Sequence, residues 1–402
     1  MLRFWIVLAS ATILCGQART AADLAAFDQV WSTVRDTHWE KTTPGGLDWN
    51  AMRTEYRPRV EAAKTTAEAR AVTQEMLRRL KQTHFGIVPG FTYESLAEEG
   101  GSGTTGIDVR VLDGQVVVTS VDPGSPAEHA GVHPGWVVRS VNGKALTVPD
   151  LPELALTRAM LARLSGPVGG SIEVVFDAAT LKLSLTVGRG TLAEFGNLPA
   201  TRVWYEERRI GATAYVGFNV FMDIPHLIPS FEKTIQSCKP CDGLIIDLRG
   251  NPGGIGGMAM GMAGFLVDKA NQRLGTMFMR DATLNFVINP RAEVFTGPVA
   301  FLLDGTSAST SEIFAGGLQD LGRARVFGTR SAAAALPSVF TTLPNGDGFQ
   351  YAIANYISQG GKALEGAGVT PDEEVKLTRE GLLNGHDAVI EAALAWIEKV
   401  KK

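Results

Sequence analysis

The spacing of apolar residues divides the chain into three regions. In the first, between residues 23 and 80, they recur at helical spacing, as in Phe27, Val30, Trp31 and Val34. This spacing predicts an amphipathic helix, followed after Pro44-Gly45-Gly46 by two more over 49–63 and 66–80. We therefore expect an N-terminal helical segment, residues 23–92.

Short apolar runs separated by turn residues are typical of the second region, residues 104–188. They predict strands at 106–109 and 115–118, a short helix that reaches Gly131, and a closing hairpin at 170–187. We expect a separate β-rich unit here, residues 93–190.

From residue 214 onward, apolar runs of strand length alternate with helical stretches. Strands are predicted at 214–218, 243–248, 301–303 and 325–328, a hairpin at 340–354, and helices at 228–236, 258–267 and 387–399. The first of these helices has Pro229, which the first turn of a helix tolerates. Alternating strands and helices imply a layered α/β core with a mostly parallel sheet, residues 191–402.

The first residues have the pattern of a secretory signal, residues 1–22. Arg3 precedes an apolar run, Phe4 to Leu14, and small residues follow. The run is short for a membrane span, and no later stretch of the chain is long and apolar enough. We expect an exported protein, periplasmic or extracellular. An uncleaved anchor and a lipid on Cys15 are alternatives, although Leu14 stands where lipid attachment expects a small residue.

Composition narrows the classes of partner. The chain has 402 residues, 45% hydrophobic and 20% charged, with a net charge of −4. This balance is that of a soluble globular protein and gives no electrostatic reason to bind nucleic acid.

Two cysteines remain after the signal, in Cys238-Lys239-Pro240-Cys241. In an exported protein this spacing favours a local disulfide. A redox role is the alternative, but a strand follows the motif where a thioredoxin-type motif expects a helix. No second ligand pair is present for zinc, and we expect no metal.

The strand predicted at 301–303 leads through Asp304-Gly305 to a run of small hydroxyl residues and then to a helix. A serine at such a turn, Ser309, lies near the positive end of a helix, which suits a nucleophile whose attack creates an oxyanion. Ser309-Thr310-Ser311-Glu312 also fits a helix capping box, which is the structural alternative.

Three other segments supply the remaining groups that acyl transfer requires. Gly253-Gly254 follows a strand and can present backbone N–H groups, whereas it lacks the lysine and glycine spacing of a nucleotide loop. His84 stands where a helix gives way to an extended segment and is a candidate base. Glu365 is a candidate orienting group. No cofactor is expected.

Together these segments resemble the tail-specific (C-terminal processing) serine peptidases, in their tricorn-like branch without a catalytic lysine. The matching pieces are GLIIDLRGNPGG, TSASTSEIFAGGLQDLGRARVFG and LEGAGVTPDEEV, at 243–254, 306–328 and 364–375. The resemblance implies a layered α/β peptidase core of the ClpP/crotonase-like kind, with an N-terminal helical segment and an inserted PDZ-like domain.

The same resemblance assigns roles to residues. It implies Ser309 as nucleophile, and the N–H of Thr310 with that of Gly253 or Gly254 as oxyanion donors. Ala334 occupies the position of the lysine in the processing peptidases, and no lysine lies between Ser309 and Lys362. The implied base is therefore His84. Thr83, in place of a serine, and Glu365 complete the relay.

The stretch GSPAEHAGVHPGWVVRSVNGKAL, residues 124–146, resembles a PDZ domain. PDZ domains bind extended peptides by adding a strand to a sheet edge. The corresponding edge would be Gly106-Ile107-Asp108-Val109, beside the 125–131 helix. A structural spacer is the alternative.

These observations predict an exported serine endopeptidase that acts on proteins or peptides delivered by the PDZ-like unit. The alternative from a different class is a catalytically silent protein of the same fold that binds peptides or hydrophobic ligands.

Overall fold

A computed structural model of the chain describes residues 2–90, 102–196, 198–238 and 240–401. Its α-helices are α1 (Leu2–Thr37), α2 (Trp49–Glu61), α3 (Thr66–Arg78), α4 (Pro126–His129), α5 (Glu153–Arg163), α6 (Ile224–Ser237), α7 (Gly256–Ala263), α8 (Thr310–Asp320), α9 (Arg379–Leu383) and α10 (Ala388–Val400). No helix in these ranges combines the length and apolar character that a membrane crossing requires.

The strands, in chain order, are β1 (Gly86–Val88), β2 (Ser102–Thr104), β3 (Ile107–Leu112), β4 (Gln115–Val121), β5 (Val138–Val141), β6 (Lys144–Ala145), β7 (Ser165–Pro167), β8 (Ser171–Phe176), β9 (Thr180–Ser184), β10 (Thr186–Val187), β11 (Thr191–Phe195), β12 (Leu198–Val203), β13 (Tyr205–Ile210), β14 (Thr213–Phe218), β15 (Gly243–Asp247), β16 (Gln272–Met279), β17 (Thr283–Ile288), β18 (Val299–Leu303), β19 (Arg325–Gly328), β20 (Ser338–Thr342), β21 (Gly348–Ala352), β22 (Ala354–Ser358) and β23 (Glu373–Glu374). The predicted α/β fold class is confirmed. The boundary predicted between residues 92 and 93 lies outside the described residues.

The chain folds as two compact units. The first comprises Met1–Ser95, Met277–Leu284 and Leu336–Tyr356, and the second comprises Leu96–Thr276, Asn285–Ala335 and Ile357–Lys402. The hairpin of β20 and β21 therefore belongs to the unit that contains the N-terminal helices.

In the first unit, α1, α2 and α3 share a core with the hairpin. Phe27, Tyr56 and Met76 are fully buried there, together with Phe349 of β21. Asp48 caps α2 by accepting hydrogen bonds from the N–H groups of the first turn, which explains why this helix begins where it does. β1 pairs with β21 in antiparallel register. The unit thus fixes the segment that follows α3 and carries His84.

The β-rich part of the second unit has its own core. Ile107 of β3 and Val174 of β8 pack there against Met160 of α5. The sequence patterns did not predict α5, because its apolar residues surround the helix and form no single stripe. The other predicted strands and the short helix α4 agree with the structure.

The central sheet of the second unit has the order β13-β14-β15-β18-β19-β23. Every pair from β14 onward is parallel. Phe301 packs edge to face on Phe314 of α8, with ring centroids 5.0 Å apart, whereas Leu302 faces the cluster formed by α10. The sheet is therefore covered on both faces, and the carboxyl ends of β15 and β18 lie side by side.

Two helices of this layer differ from the sequence expectation. α6 begins at Ile224, so Pro229 lies within the helix and not in its first turn as predicted. Pro225 occupies that turn, where the missing N–H has no intrahelical acceptor. The helix predicted to reach Val267 ends at Ala263 and continues as tighter turns, with Phe265 N–H donating to the Met262 carbonyl at 3.0 Å.

Candidate active site

Ser309 lies at the turn between β18 and α8. The strand is fully buried, and Ser309 is half-exposed between buried Ala308 and Thr310. Its backbone has φ +54° and ψ −115°, a region that non-glycine residues rarely adopt. Such a strained conformation persists only where surrounding contacts determine the backbone. At this sharp turn it leaves the Ser309 residue half-exposed.

Asn251 joins this turn to the loop after β15. The Asn251 side chain is fully buried; it donates to the Phe218 carbonyl at 2.8 Å and accepts from Gly253 N–H at 2.9 Å. Its backbone carbonyl accepts from Ala308 N–H at 3.0 Å and from the Ser311 hydroxyl at 2.9 Å. One amide residue therefore sets the distance between the glycine loop and the serine turn.

The two glycines of this loop differ in the partner of their backbone N–H group. A Cβ atom on Gly253, which has φ +97°, would lie 2.7 Å from Ser309 Cβ and 2.8 Å from Thr310 N, so only glycine fits there. The Gly253 N–H donates to Asn251. Within the described residues, the N–H groups of Gly254 and Thr310 have no acceptor. The Thr310 hydroxyl donates to the Gly254 carbonyl at 2.8 Å and keeps these two residues together.

The start of the same turn is held by Asp304. One of its carboxylate oxygens accepts from the N–H groups of Gly250, Thr306 and Ser307 at 3.2, 2.9 and 3.1 Å. The other accepts from Arg110 Nε of β3 at 2.7 Å. Burial alone would raise the pKa of Asp304, but the Arg110 guanidinium and these hydrogen bonds hold it at about 2.

A second carboxylate, that of the fully buried Glu312, holds the end of the turn. One oxygen accepts from Ser309 N–H at 2.9 Å and Ala334 N–H at 3.1 Å, and the other accepts from Ala333 N–H at 3.0 Å and the Ser331 hydroxyl at 2.5 Å. Glu312 therefore forms its half of the predicted capping box. Its burial raises the pKa of the carboxyl to about 7, against the effect of the four hydrogen bonds.

Ala334, at the position where the processing peptidases have lysine, contributes its backbone. Its carbonyl accepts from Ser309 N–H at 2.8 Å. The next residue, Ala335, donates its N–H to Glu365 Oε2 at 3.1 Å. The segment of residues 331–335 therefore lies between Glu312 and Glu365 and connects the serine turn to both.

In the first unit, Thr83 Oγ1 lies 2.7 Å from His84 Nδ1. His84 has φ +61°, so this pair also stands on a strained turn. Gln82, just before the pair, accepts at 2.9 Å from the fully buried His38, whose other ring nitrogen accepts from Glu40 N–H. Burial lowers the pKa of His38. The neutral imidazole of His38 therefore holds Gln82, the residue that precedes Thr83 and His84.

The PDZ-like residues occupy the start of β3. Ile107 and Val109 are buried against α5, while a Cβ on Gly106 would lie 2.2 Å from Ser125 Cβ at the start of α4. The Asp108 carboxylate accepts from Arg110 at 2.8 Å. Arg110, which lies within β3, therefore binds both Asp108 and Asp304.

Cys238 and Cys241 are joined by a disulfide at the end of α6. Arg249, which precedes the glycine loop, binds Asp247 at 2.6 Å and Asp387, the N-cap of α10, at 2.8 Å. Sequence reasoning did not single out Asn251, Asp304 or Arg249 for a role at the site. Asn-Pro-Gly and Asp-Gly turns were visible in the sequence, but their partners come from distant segments.

Comparison with known proteins indicates a class of hydrolase, the serine peptidases. Residues 212–375 match peptidase family S41, residues 23–78 match the tricorn protease C1 domain, and residues 117–155 match a PDZ domain. Each match lies within the corresponding region predicted from the sequence.

Proteins similar in sequence to this chain are named as processing proteases or serine proteases. The chain is 28% identical over 305 residues to a carboxy-terminal-processing protease of Bartonella bacilliformis, covering 73% of this chain and 65% of the relative's length. It is 22% identical over 391 residues to a probable CtpA-like serine protease of Staphylococcus aureus, covering 93% and 73%. The structure of a photosystem II D1 C-terminal processing protease shares the fold, with TM-score 0.62, 22% identity and coverage of 92% and 98%. The family match and these relatives indicate a serine peptidase similar to the carboxy-terminal-processing proteases, as the motifs predicted.

The packing of Gly253 against the serine turn gives a test. We expect Gly253→Ala to lower the free energy of unfolding by about 3 kcal/mol, because the new methyl group overlaps Ser309 and the backbone is strained at φ +97°. Urea denaturation followed by circular dichroism measures this. Gly257→Ala in α7 is the matched control, since a Cβ there meets nothing within 4 Å. Equal stability of the two variants would contradict the assignment.

Proposed function

We propose that this protein is an endopeptidase that cleaves peptide bonds through an acyl-enzyme on Ser309. The observation that carries the proposal is the strained turn at Ser309, which packs against Gly253, together with the N–H groups of Gly254 and Thr310, which have no acceptor among the described residues. Donors fixed in advance stabilise the negative charge of a tetrahedral intermediate. Gly253 acts as the spacer between them.

The chemistry is that of other serine hydrolases. Ser309 Oγ attacks the scissile carbonyl carbon, and its proton passes to a base while the carbonyl oxygen becomes an oxyanion held by Gly254 and Thr310 N–H. Collapse of the intermediate breaks the C–N bond, and the base returns the proton to the leaving amine. Water then hydrolyses the ester by the reverse set of proton transfers.

We assign the base to His84. Its Nδ1 atom is 2.7 Å from Thr83 Oγ1, which fixes the ring and leaves proton transfer to Nε2. An imidazole has an unperturbed pKa near 6.5 and accepts a proton without the desolvation that a lysine base needs. Ala334 supports this choice, because the residue in the lysine position has no side-chain base. Glu365 completes the relay through Thr83.

Labelling with a fluorophosphonate, which reacts with activated serines, tests the assignment. We expect the wild type to be labelled on Ser309, and both Ser309→Ala and His84→Ala to lose peptide hydrolysis by at least about 10³-fold. The double variant should be little worse than either, because the two residues act as a unit.

Ser358→Ala is the matched control, a buried serine outside the site, and should be labelled like the wild type. Failure of the folded wild type to react at any pH would favour a silent binding protein. Retained activity in His84→Ala with loss in Lys362→Ala would instead restore a lysine base.

We propose further that the PDZ-like unit binds extended peptide substrates along β3. Its support is that β3 pairs on one side with β4, and that Ile107 and Val109 form a wall with α5, as a strand-addition groove requires. Titration of the Ser309→Ala protein with a C-terminal peptide library should give binders at micromolar to millimolar concentration. Gly106→Val should abolish binding through its overlap with Ser125, and an unaltered affinity would leave only a spacer role.

Export is proposed on the sequence pattern of residues 1–22. Mass spectrometry of the protein purified from its natural cells should find a mature N-terminus after Ala18 or Ala22, in the exported fraction. A protein that retains Met1 to Leu14 in the cytoplasmic fraction would contradict export. This test of export does not depend on whether the protein is catalytically active.

A further inference from the structure

Glu312 joins two strained points of the backbone. Its carboxylate binds the N–H groups of Ser309, at φ +54°, and of Ala333, at φ +57°. Both residues are non-glycine residues in the left-handed half of conformational space, which is disfavoured for residues with a Cβ atom. A common anchor that holds both N–H groups opposes relaxation of either turn. Glu312 is itself fully buried, so water does not compete for these donors.

All the partners of this carboxylate are placed to donate. Three are backbone N–H groups, of which that of Ser309 also donates to the Ala334 carbonyl at 2.8 Å. The fourth is the Ser331 hydroxyl, which at the same time accepts from Val369 N–H at 2.7 Å. Because Ser331 accepts from Val369, its own proton is directed to Glu312. A carboxylate accepts from all four donors, whereas a carboxylic acid gives up one acceptor position and the negative charge that strengthens the remaining bonds.

We propose that ionised Glu312 is a positioning residue that holds Ser309 in its attacking geometry, and that protonation of Glu312 loosens the serine turn and lowers activity. The proposal rests on Ser309 as the nucleophile and adds a second acid-sensitive group to the reaction, distinct from the base. Glu312 acts through the backbone of Ser309 and through the 331–335 segment, and contacts no reacting atom.

The surroundings of Glu312 bring the protonation of its carboxylate into the physiological pH range. The pKa of Glu312 is raised to about 7 by burial, the largest effect, and is opposed only by its hydrogen bonds with Ser331, Ser309, Ala334 and Ala333. Three ionisable side chains lie on the segments around Glu312, and the contacts given for them are with other groups. Arg330 is exposed next to Ser331, Glu365 binds Ala335 N–H, and Asp304 binds the opposite end of the turn.

Stability and activity then respond to pH in opposite directions. A carboxyl whose pKa is raised in the folded state binds a proton more tightly there than in the unfolded chain. Its contribution to stability is present below the unfolded pKa near 4.5 and is lost as pH rises through about 7. Activity follows the ionised form and falls as pH decreases through the same range. Acidification from pH 8 to pH 6 should therefore raise the melting temperature relative to Glu312→Gln while it lowers turnover.

The decisive variant is Ser331→Ala, which removes one hydrogen bond from the ionised carboxylate and no group from the proposed catalytic set. We expect its acid limb in kcat/KM to move upward by about one pH unit, since a bond that favours the charged form is lost. Infrared difference spectra give the independent readout, because the band of a protonated buried carboxyl identifies Glu312 by its absence in Glu312→Gln. The midpoint of this band should move by the same amount as the acid limb.

Ser358→Ala is the matched control: its hydroxyl also accepts a backbone N–H, that of Lys362 at 3.3 Å, but it does not touch Glu312, so neither midpoint should move. A carboxyl that stays ionised down to pH 5, or an acid limb that does not move while the infrared midpoint does, would overturn the proposal and leave Ser309 and His84 unaffected. If Ser331→Ala does not fold, Glu312→Gln replaces it, and its acid limb should shift to that of the base alone.

A wild type that shows no labelling at any pH would remove the proposed function but not the structural claim. In that case hydrogen exchange of the peptide spanning residues 307–314 decides. Faster exchange on protonation of Glu312, absent in Glu312→Gln, supports the hold on the turn, and unchanged exchange overturns it.

Discussion

The serine turn depends on the hydrogen bonding of its own backbone. A residue at φ +54° that is not glycine is maintained only when its neighbours leave no lower-energy alternative, and here three side chains do so. Asp304 binds the start of the turn, Asn251 the middle and Glu312 the end. All three act mainly on backbone N–H or C=O groups, so the position of Ser309 is set by main-chain geometry and not by packing of its own small side chain.

Two of these anchors are carboxylates with opposite electrostatic settings. Asp304 faces Arg110, which together with its hydrogen bonds holds the pKa of the carboxyl at about 2, so Asp304 is charged at neutral pH. Glu312 faces neutral donors alone, and its pKa is about 7. The same side-chain chemistry thus provides a permanent anchor at one end of the turn and a titratable one at the other, and the difference arises from a single guanidinium carried by β3.

Local sequence patterns were enough to predict many of the helices and strands. The spacing of Phe27, Val30, Trp31 and Val34 predicted a helix that is present, and the short apolar runs at 243–248 and 301–303 predicted central strands. The pairing of Asn251 with Ala308, or of Asp304 with Arg110, is a property of the assembled sheet and has no local signature. Helix α5 was missed for a different reason, since its apolar residues lie on all sides. For the proposed site, residue types suggested Ser309 and the two glycines, but only the hydrogen bond from Gly253 to Asn251 distinguishes Gly254 as the donor.

The pairing of Arg249 with Asp387 links the glycine loop to the beginning of α10, across 138 residues of sequence. During synthesis the loop therefore emerges long before its anchor. Until α10 has been made and has covered its face of the sheet, Arg249 lacks one of its two carboxylate partners and the loop beside Ser309 is incompletely held. A nascent chain of this protein is consequently poorly equipped to cut its neighbours or itself before α10 has been made, so the order of translation alone delays the completion of the proposed site.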